Sequence, residues 1–246
     1  MDDPVDRVAA ARRDPGRAVL EGLHALKHAL RFGASIEAAW TDDAARLRRL
    51  ATELAPDEAD RLLALAEPVG QAVFARLAEP SPSTGVVAIA VRPAIDPTTL
   101  LAEAAAPVVV LEDPRHMGNV GAVVRVAAAA GAAGVLTTGA AHPWHPAALR
   151  GSAGLHFALP VARIDALPPL GGRLVGLDPA GAPLGADSLP DDTVLVFGTE
   201  RGGLTKAVRS RCARLVALPM RVGVSSLNLA TAAAAALYLG RRLPGR

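Results

Sequence analysis

The sequence is poor in cysteine, aromatic residues and lysine, and each shortage excludes a class of protein. Its 246 residues include one cysteine, Cys212, which excludes an intramolecular disulfide framework and a zinc site built from several thiolates. Aromatic residues make up 3% of the chain, too few for a nucleic-acid surface built on rows of stacking rings. Lys27 and Lys206 are the only lysines among 26 basic residues, so any contact with phosphate would rest on arginine. A genome-wide arginine and alanine bias explains this composition better than selection for function.

Long apolar runs are also missing. None reaches the roughly 18 to 20 residues that a membrane helix needs. The chain opens with Met1-Asp2-Asp3 rather than with a basic stretch and an apolar signal core. The hydrophobic content of 51% can supply a substantial core, which excludes disorder throughout. We therefore expect a folded cytoplasmic protein without a membrane span.

The distribution of charge divides the chain. Residues 1–96 carry 12 basic and 15 acidic side chains, a net charge of −3, while residues 97–246 carry 14 and 9, a net charge of +5. The dipeptides Arg92-Pro93 and Asp96-Pro97 favour extended chain between the two parts. We predict two domains, 1–96 and 97–246.

The first domain reads as a small α/β unit. Residues 7–31 have the apolar spacing of an amphipathic helix that is interrupted at Asp14-Pro15-Gly16. The other elements expected here are a short apolar patch at 36–40, helices at 43–54, 56–65 and 71–77, and a strand at 85–91.

The second domain alternates short apolar runs with helices. Such alternation predicts a parallel sheet that is buried on both faces. The six expected strands are 108–111, 135–137, 157–161, 173–177, 194–197 and 215–218. The expected helices are 120–130, 146–153, 204–211 and 227–239. In such sheets ligands bind outside the carboxyl ends of the strands, so the loops after these runs are where a site is expected.

The loop after the first of these strands leads into a helix for which Asn119 is a suitable N-cap. Gly121 and Arg125 lie four residues apart and share one face of that helix. An arginine beside a patch bared by glycine can reach a phosphate. The alternative is an ordinary surface arginine.

The loop after the run 194–197 contains three glycines, which let a ligand approach the backbone. It is neither a Walker A loop nor a Gly-x-Gly-x-x-Gly fingerprint, which counts against nucleoside triphosphates and dinucleotides. Glu200 in this loop belongs either to a site or to the positive end of the following helix.

The loop after the last run carries Ser225 or Ser226 as a candidate N-cap. The helix that follows is apolar nearly all round and must be covered on every side, which predicts packing between the sheet and a partner subunit. Asn228 is a polar residue at the start of that buried helix, so it needs either a hydrogen-bond partner or a functional role.

At these three loops the chain resembles the SpoU/TrmH family of SPOUT methyltransferases, which transfer a methyl group from S-adenosylmethionine to a ribose 2′-hydroxyl of tRNA or ribosomal RNA. The family has three ordered motifs. The matching residues are Asn119, Gly121 and Arg125 in the first, Gly198, Glu200 and Gly203 in the second, and Pro219, Met220, Ser226, Leu227, Asn228 and Tyr238 in the third.

The resemblance implies an α/β fold with two parts. One is a C-terminal trefoil-knotted SPOUT domain with a six-stranded, mainly parallel sheet. The other is a small N-terminal α/β RNA-binding domain that is similar to ribosomal proteins that bind RNA kinks, a likeness carried by residues 21–26 and 85–88. Family members are homodimers, which agrees with the apolar last helix. The stretch from Asp113 to Gly118 is slightly longer than the common family form.

The resemblance also implies roles for individual residues. Those implied to bind S-adenosylmethionine are Thr138, Gly198, Leu218, Met220 and Leu227. Those implied to be catalytic are Asn119, Arg125, Glu200, Ser226 and Asn228. Asn119 and Glu200 would position Arg125, and Ser226 with Asn228 would orient the target nucleotide and the cofactor loop.

Arg125 would act either as a base or as a clamp. Because a guanidinium stays protonated, we hypothesise that Arg125 binds the adjacent phosphate and stabilises negative charge on the 2′-oxygen.

Several questions stay open at the level of sequence. The alternative function is a noncatalytic RNA-binding module of the same fold, and the sequence does not choose between tRNA and ribosomal RNA. Either the basic residues of the first domain gather on one face or this domain recognises RNA by shape; these residues are Arg12, Arg13, Arg17, Lys27 and Arg31. A second set could line an RNA-facing cleft: Arg115, Arg125, Arg150, Arg201 and Arg221.

Other chemistries have weaker support. His24 and His28 lie one helical turn apart without further ligands, so no metal site is predicted. Cys212 lies near two arginines but lacks a placed base, which favours a structural role. The serines of the third motif lack a nucleophile elbow, which argues against a serine hydrolase.

Overall fold

The computed structural model describes residues 3–186, 188–200 and 202–240, which form two compact units. The first unit contains the chain up to Ala94 together with Ala153–Ala158. The second contains Ile95–Ser152 and the chain from Leu159 onward. The sequence did not predict that Ala153–Ala158 belongs to the first unit. Arg201 lies outside the described residues.

The first unit has a four-stranded sheet with helices. Its helices are Pro4–Arg13 (α1), Leu23–Arg31 (α2), Ala44–Leu54 (α3), Ala59–Leu65 (α4) and Gln71–Leu77 (α5). Its strands are Arg17–Glu21 (β1), Ile36–Thr41 (β2), Ala66–Pro68 (β3) and Val86–Val91 (β4). The strand order is β1-β4-β2-β3, with β4 antiparallel to both neighbours and β3 parallel to β2. A core forms around Trp40 and Phe74.

The helical spacing predicted within 7–31, after the interruption at 14–16, is wrong at residues 17–21, because the strand β1 separates α1 from α2. Ala18, Val19 and Leu20 are buried in succession, as in a strand covered on both faces. Gly22 then turns the chain with a φ of +98°, a conformation that glycine adopts readily. Val19, Leu23, Leu26 and Leu30 have the spacing of one helical stripe, but Val19 belongs to β1 and only the three leucines belong to α2.

Four of the five basic residues considered for an RNA-binding face of this unit have internal partners. Arg12 Nη2 lies 3.0 Å from Glu21 Oε1, and Lys27 Nζ donates to Leu54 O at 3.1 Å. Arg17 pairs with Glu37 and with Asp14, and Arg31 pairs through two nitrogens with Asp57. These four basic side chains are therefore paired within the unit, and the way in which this unit would recognise RNA stays a prediction.

The second unit is built on the six-stranded parallel sheet, which confirms the predicted architecture. Its strands are Val108–Leu111 (β5), Gly134–Thr137 (β6), Val161–Arg163 (β7), Leu174–Pro183 (β8), Val194–Phe197 (β9) and Arg214–Ala217 (β10). Its helices are Pro97–Glu103 (α6), Met117–Ala129 (α7), Pro146–Ser152 (α8), Lys206–Arg209 (α9) and Leu229–Gly240 (α10). The strand order is β10-β8-β9-β5-β6-β7, and every neighbouring pair is parallel.

One predicted strand is misplaced. Residues 157–161 were expected to be extended, but Leu155–Phe157 is a 3₁₀ helix and β7 begins at Val161. His156 in the middle of that helix is fully buried, so burial there reflects packing within the first unit rather than a strand.

Helices α7 and α8 pack closely at glycines. A Cβ on Gly121 would collide with the backbone of Ala148 and Ser152, and one on Gly151 would lie 2.8 Å from Gly118 O. The expectation that Gly121 leaves a bare patch for a phosphate is therefore wrong, because α8 fills that space. Within the described part of the chain, no helix has both the length and the apolar character needed to cross a bilayer.

Candidate active site

Side chains from the first, second and third motifs meet at the carboxyl edge of the parallel sheet. Asn119 Nδ2 donates to Glu200 Oε1 at 3.2 Å, and Asn228 Nδ2 donates to Asn119 Oδ1 at 3.1 Å. Asn119 lies in α7, Glu200 in the loop after β9 and Asn228 just before α10. Three elements distant in sequence are thus linked by two hydrogen bonds.

The Glu200 carboxylate holds the start of α7. Besides Asn119 it accepts hydrogen bonds from the backbone N–H groups of Arg115 at 3.3 Å and His116 at 3.2 Å. His116 is the N-cap residue, and its own side chain makes no capping hydrogen bond. A carboxylate from another loop therefore supplies the negative charge that the N-terminus of this helix favours.

Glu200 is held in its ionised form. Burial acts to raise the pKa of Glu200, but hydrogen bonds from its own backbone N–H, from Asn119 and from the amides of Arg115 and His116 outweigh it. The pKa of this carboxyl therefore lies below its ordinary value. Glu200 can act as a hydrogen-bond acceptor at neutral pH but not as a proton donor.

The predicted helix caps need correction. Asn119 is the third residue of α7 rather than its N-cap, since the helix begins two residues earlier. Neither Ser225 nor Ser226 caps α10; Asn228 does, because its Oδ1 accepts hydrogen bonds from the N–H groups of Ala230 at 2.9 Å and Thr231 at 3.4 Å. Glu200 does not cap the helix that follows it either, as the side chain of Thr205 caps α9.

The loop of residues 198–204 folds back tightly on itself. Thr199 and Gly203 exchange two backbone hydrogen bonds of 3.0 Å, which leaves Glu200 at the tip. Gly198 faces the backbone of Gly203 and Leu204 so closely that a Cβ has no space. Gly203 has a φ of +64°, which closes the turn. The glycines of the second motif are thus required by the shape of this loop.

The loop of residues 218–228 runs from the end of β10 to the start of α10. Since Asn228 bonds to Asn119 after β5, the loop crosses three strand spacings, roughly 14 Å. Apart from a hydrogen bond from Val224 N to Arg221 O, no backbone group of residues 219–227 bonds to another described residue. Residues 221–228 are all exposed. These donors and acceptors are available to a ligand.

Arg125 is exposed on α7 and forms no hydrogen bond or ion pair with any described residue. The structure therefore brings together Asn119, Glu200 and Asn228 but does not join them to Arg125. A free guanidinium with five donors is available to an anion from solvent.

The other predicted site residues surround this network or lie on the 218–228 loop. Thr138 follows β6, and its Oγ1 accepts a hydrogen bond from Asp113 N at 3.0 Å, so the hydroxyl shapes the turn before α7. Leu218 and Met220 are half-buried, whereas Ser226 and Leu227 are exposed. Their roles stay predictions.

Two residues weighed for other chemistry have environments that fit structural roles. Burial raises the pKa of the Cys212 thiol, which counts against an activated thiolate. Burial also disfavours the charged form of His28 and so lowers its pKa; the Nδ1 atom of this ring lies 2.7 Å from Ala153 O. Because a carbonyl only accepts, this ring nitrogen carries a proton and donates.

Sequence reasoning missed Glu112 and the amides of Arg115 and His116. Glu112 directly follows an apolar strand, and it is one of few buried carboxylates. An acidic residue at the carboxyl end of a predicted parallel strand is the signal that would have found it. The amides gave no signal, since every residue other than proline has one.

The substitution Glu200→Gln is expected to lower the free energy of unfolding by about 1 kcal/mol at pH 7, since the amide cannot accept every hydrogen bond of the carboxylate. Because the folded pKa is depressed, this difference is present above the ordinary value of 4.5 and is lost as the pH falls through the lowered value. Urea unfolding at successive pH values measures it. Glu53→Gln, a substitution of an exposed residue, is the control. If the difference in unfolding free energy between wild type and Glu200→Gln stayed the same at low pH, the lowered pKa of Glu200 would be contradicted.

Comparison with known proteins places the chain in a family. A profile of the SpoU rRNA Methylase family matches residues 106–238. An uncharacterized tRNA/rRNA methyltransferase from Synechocystis sp. is 32% identical over 252 residues, covering 94% of this chain and 86% of that protein. The 23S rRNA (uridine(2479)-2′-O)-methyltransferase of Streptomyces viridochromogenes is 34% identical over 154 residues, covering 56% of this chain and 54% of that enzyme.

Solved structures agree with this relationship. The SpoU methyltransferase AviRb from Streptomyces viridochromogenes, in complex with AdoMet, has a TM-score of 0.76 and 25% identity and covers 97% of both chains. An RNA 2′-O ribose methyltransferase has a TM-score of 0.71 and 27% identity, covering 95% of this chain and 94% of that one. The fold is one that solved RNA methyltransferases have. The chain belongs to the SpoU rRNA methylase family.

Proposed function

We propose that this protein transfers a methyl group from S-adenosylmethionine to a ribose 2′-hydroxyl of a structured RNA, either ribosomal RNA or tRNA. The observation that carries the proposal is the network of Asn119, Glu200 and Asn228 at the carboxyl edge of the sheet, with the free guanidinium of Arg125 on the same helix as Asn119. The 2′-O activity named for the Streptomyces relative supports the same chemistry.

The residues at this edge fit S-adenosylmethionine. The backbone of the 218–228 loop has donors and acceptors that no other described residue pairs, and the neighbouring 198–204 loop is held compact by glycine. Residues that would hold the cofactor are Thr138, Gly198, Leu218, Met220 and Leu227. When bound, S-adenosylmethionine supplies an electrophilic methyl group on its sulfonium. A ligand with both polar edges and apolar parts suits a loop that offers backbone groups beside Leu218 and Met220.

Arg125 would bind the phosphate next to the target ribose. Its guanidinium offers a planar pair of donors and carries a full charge at neutral pH, which suits both phosphate and a 2′-oxygen that gains negative charge. A guanidinium is a poor base, so the proton of the 2′-hydroxyl would leave through phosphate or water. Ser226 and Asn228 would orient the nucleotide, and Asn119 with Glu200 would fix the start of the helix that carries Arg125.

The functional protein would contain a second copy of the chain. Tyr238 and Leu239 on α10 are 52% and 40% exposed, and Val222 in the preceding loop is 98% exposed. Large apolar side chains that are exposed on a helix and on the loop before it favour an interface. We infer a homodimer, and a monomeric mass by light scattering at micromolar concentration would contradict it. The trefoil knot that the resemblance implies and the cytoplasmic location expected from the sequence stay predictions.

Calorimetry and labelled transfer test the proposed function together. S-adenosylmethionine should bind the purified protein, and total RNA incubated with both should gain labelled methyl groups. Arg125→Ala should still bind the cofactor and transfer no label. Binding without transfer to any RNA would contradict the proposed activity, and absence of cofactor binding would favour a noncatalytic RNA-binding module.

A further inference from the structure

Glu112 is a buried carboxylate with no role in the chemistry described above. It directly follows β5 and is 6% exposed. Its Oε2 accepts a hydrogen bond from Thr205 N at 2.9 Å, and its Oε1 accepts one from Thr205 Oγ1 at 2.6 Å. A buried carboxylate is costly unless it is hydrogen-bonded, so both donors of Thr205 are tied to this position.

The backbone of Glu112 holds the other end of the same loop. Glu112 N donates to Phe197 O at 2.8 Å, and Phe197 is the last residue before the 198–204 loop. Thr205 is the first residue after that loop. One residue therefore fixes the entry of the loop through its backbone and the exit through its carboxylate.

Thr205 also connects Glu112 to helix α9. Its Oγ1 donates to Glu112 and accepts a hydrogen bond from Val208 N at 3.2 Å, as the N-cap of α9. With both ends fixed and with Thr199 and Gly203 bonded to each other, the loop has little freedom to move its tip. The tip carries Glu200, which must reach the amides of α7.

We infer that Glu112 is a positioning residue, which holds the 198–204 loop where the Glu200 carboxylate meets the start of α7. Glu112 bonds to Phe197 and Thr205 and to none of the residues proposed to contact RNA, so at saturating S-adenosylmethionine its effect on kcat acts through Glu200. The inference rests on the proposed function for its effect on catalysis but not for its effect on the loop.

Asp178 provides a matched control. It is also buried, and its Oδ2 lies 3.0 Å from Arg209 Nη1 at the far end of α9. It anchors the same helix but bonds to neither end of the 198–204 loop. Loss of the Asp178–Arg209 ion pair removes a contact of a buried carboxylate with α9 but leaves both ends of the 198–204 loop held.

The test compares Glu112→Ala, Glu200→Ala and the double variant with wild type and Asp178→Asn. Glu112→Ala should lower kcat by about 10- to 100-fold, as expected for misplaced groups near a reacting centre. In the Glu200→Ala background the same change should alter kcat by less than about twofold, because the two residues act in one chain of contacts. Asp178→Asn should stay within about threefold of wild type. Glu112→Gln should restore most activity, since an amide can accept from Thr205 N and donate to Thr205 Oγ1.

Hydrogen exchange gives a readout that does not depend on activity. The amides of Thr199 and Gly203 should exchange at least about tenfold faster in Glu112→Ala, while amides of β5 stay protected. If Glu112→Ala does not fold, Thr205→Val removes the hydroxyl donor and should show the same local increase. Unchanged exchange in the loop, or additive losses of kcat in the double variant, would overturn the inference. If wild type transfers no methyl group, the proposed function fails, and the exchange experiment still decides the role of Glu112.

Discussion

Lysine in place of Arg125 is expected to lower kcat for RNA methylation about 100-fold, with the Kd for S-adenosylmethionine within about twofold of wild type. Arg125 is exposed and forms no bond with other described residues, so the substitution leaves the fold intact. Lysine keeps the charge but loses the planar pair of donors that matches phosphate. Single-turnover rates with saturating RNA, together with calorimetry for the cofactor, separate the two effects.

The control for this prediction is Arg211→Lys. Arg211 is also exposed, and its guanidinium donates to Leu167 O at 2.8 Å and to Pro168 O at 2.6 Å. It lies in the turn before β10, whereas the motifs follow the carboxyl ends of the strands. It should retain nearly full activity. Full activity of Arg125→Lys would contradict a role that depends on the guanidinium fork, and a weaker Kd for RNA with unchanged kcat would limit Arg125 to binding.

Alanine in place of Gly198 is expected to abolish measurable binding of S-adenosylmethionine and to destabilise the protein by about 1 to 3 kcal/mol. The added Cβ would collide with the backbone of Gly203 and Leu204 rather than with a side chain that can move. The 198–204 loop must then open, which displaces Glu200 from the start of α7. Calorimetry and thermal unfolding measure the two losses.

Gly172→Ala is the matched control, because its Cβ would meet no atom within 4 Å and its φ is not positive. It should bind cofactor and unfold like wild type. If Gly198→Ala bound S-adenosylmethionine normally, the 198–204 loop would not belong to the cofactor site.

Strands buried on both faces were predictable from sequence. Residues 108–111 and 194–197 were placed without error, because a strand covered by helices on both sides needs a continuous apolar run. The same rule explains the failure at 17–21, where the buried run Ala18, Val19 and Leu20 adjoins a helix and was read with helical spacing. Apolar spacing alone does not separate a short buried strand from a helical turn.

The identity of the site residues was easier to predict than their contacts. Asn119, Glu200 and Asn228 came from motif spacing, but their hydrogen bonds depend on which backbone groups the folded chain leaves unpaired. The N-cap of α10 illustrates this, since Asn228 rather than Ser226 reaches the first amides. Glu112 has no motif of its own, and its function follows from holding two points that are eight residues apart in sequence and adjacent in space.

The position of the transferred methyl group tests the central claim most directly. RNA labelled by the wild-type protein with methyl-labelled S-adenosylmethionine should be digested with alkali, which cleaves the backbone only where the 2′-hydroxyl is free. The label should remain in alkali-resistant dinucleotides at one or a few positions and should be absent with Arg125→Ala. Label released in mononucleotides would place the methyl group on a base and would contradict ribose methylation.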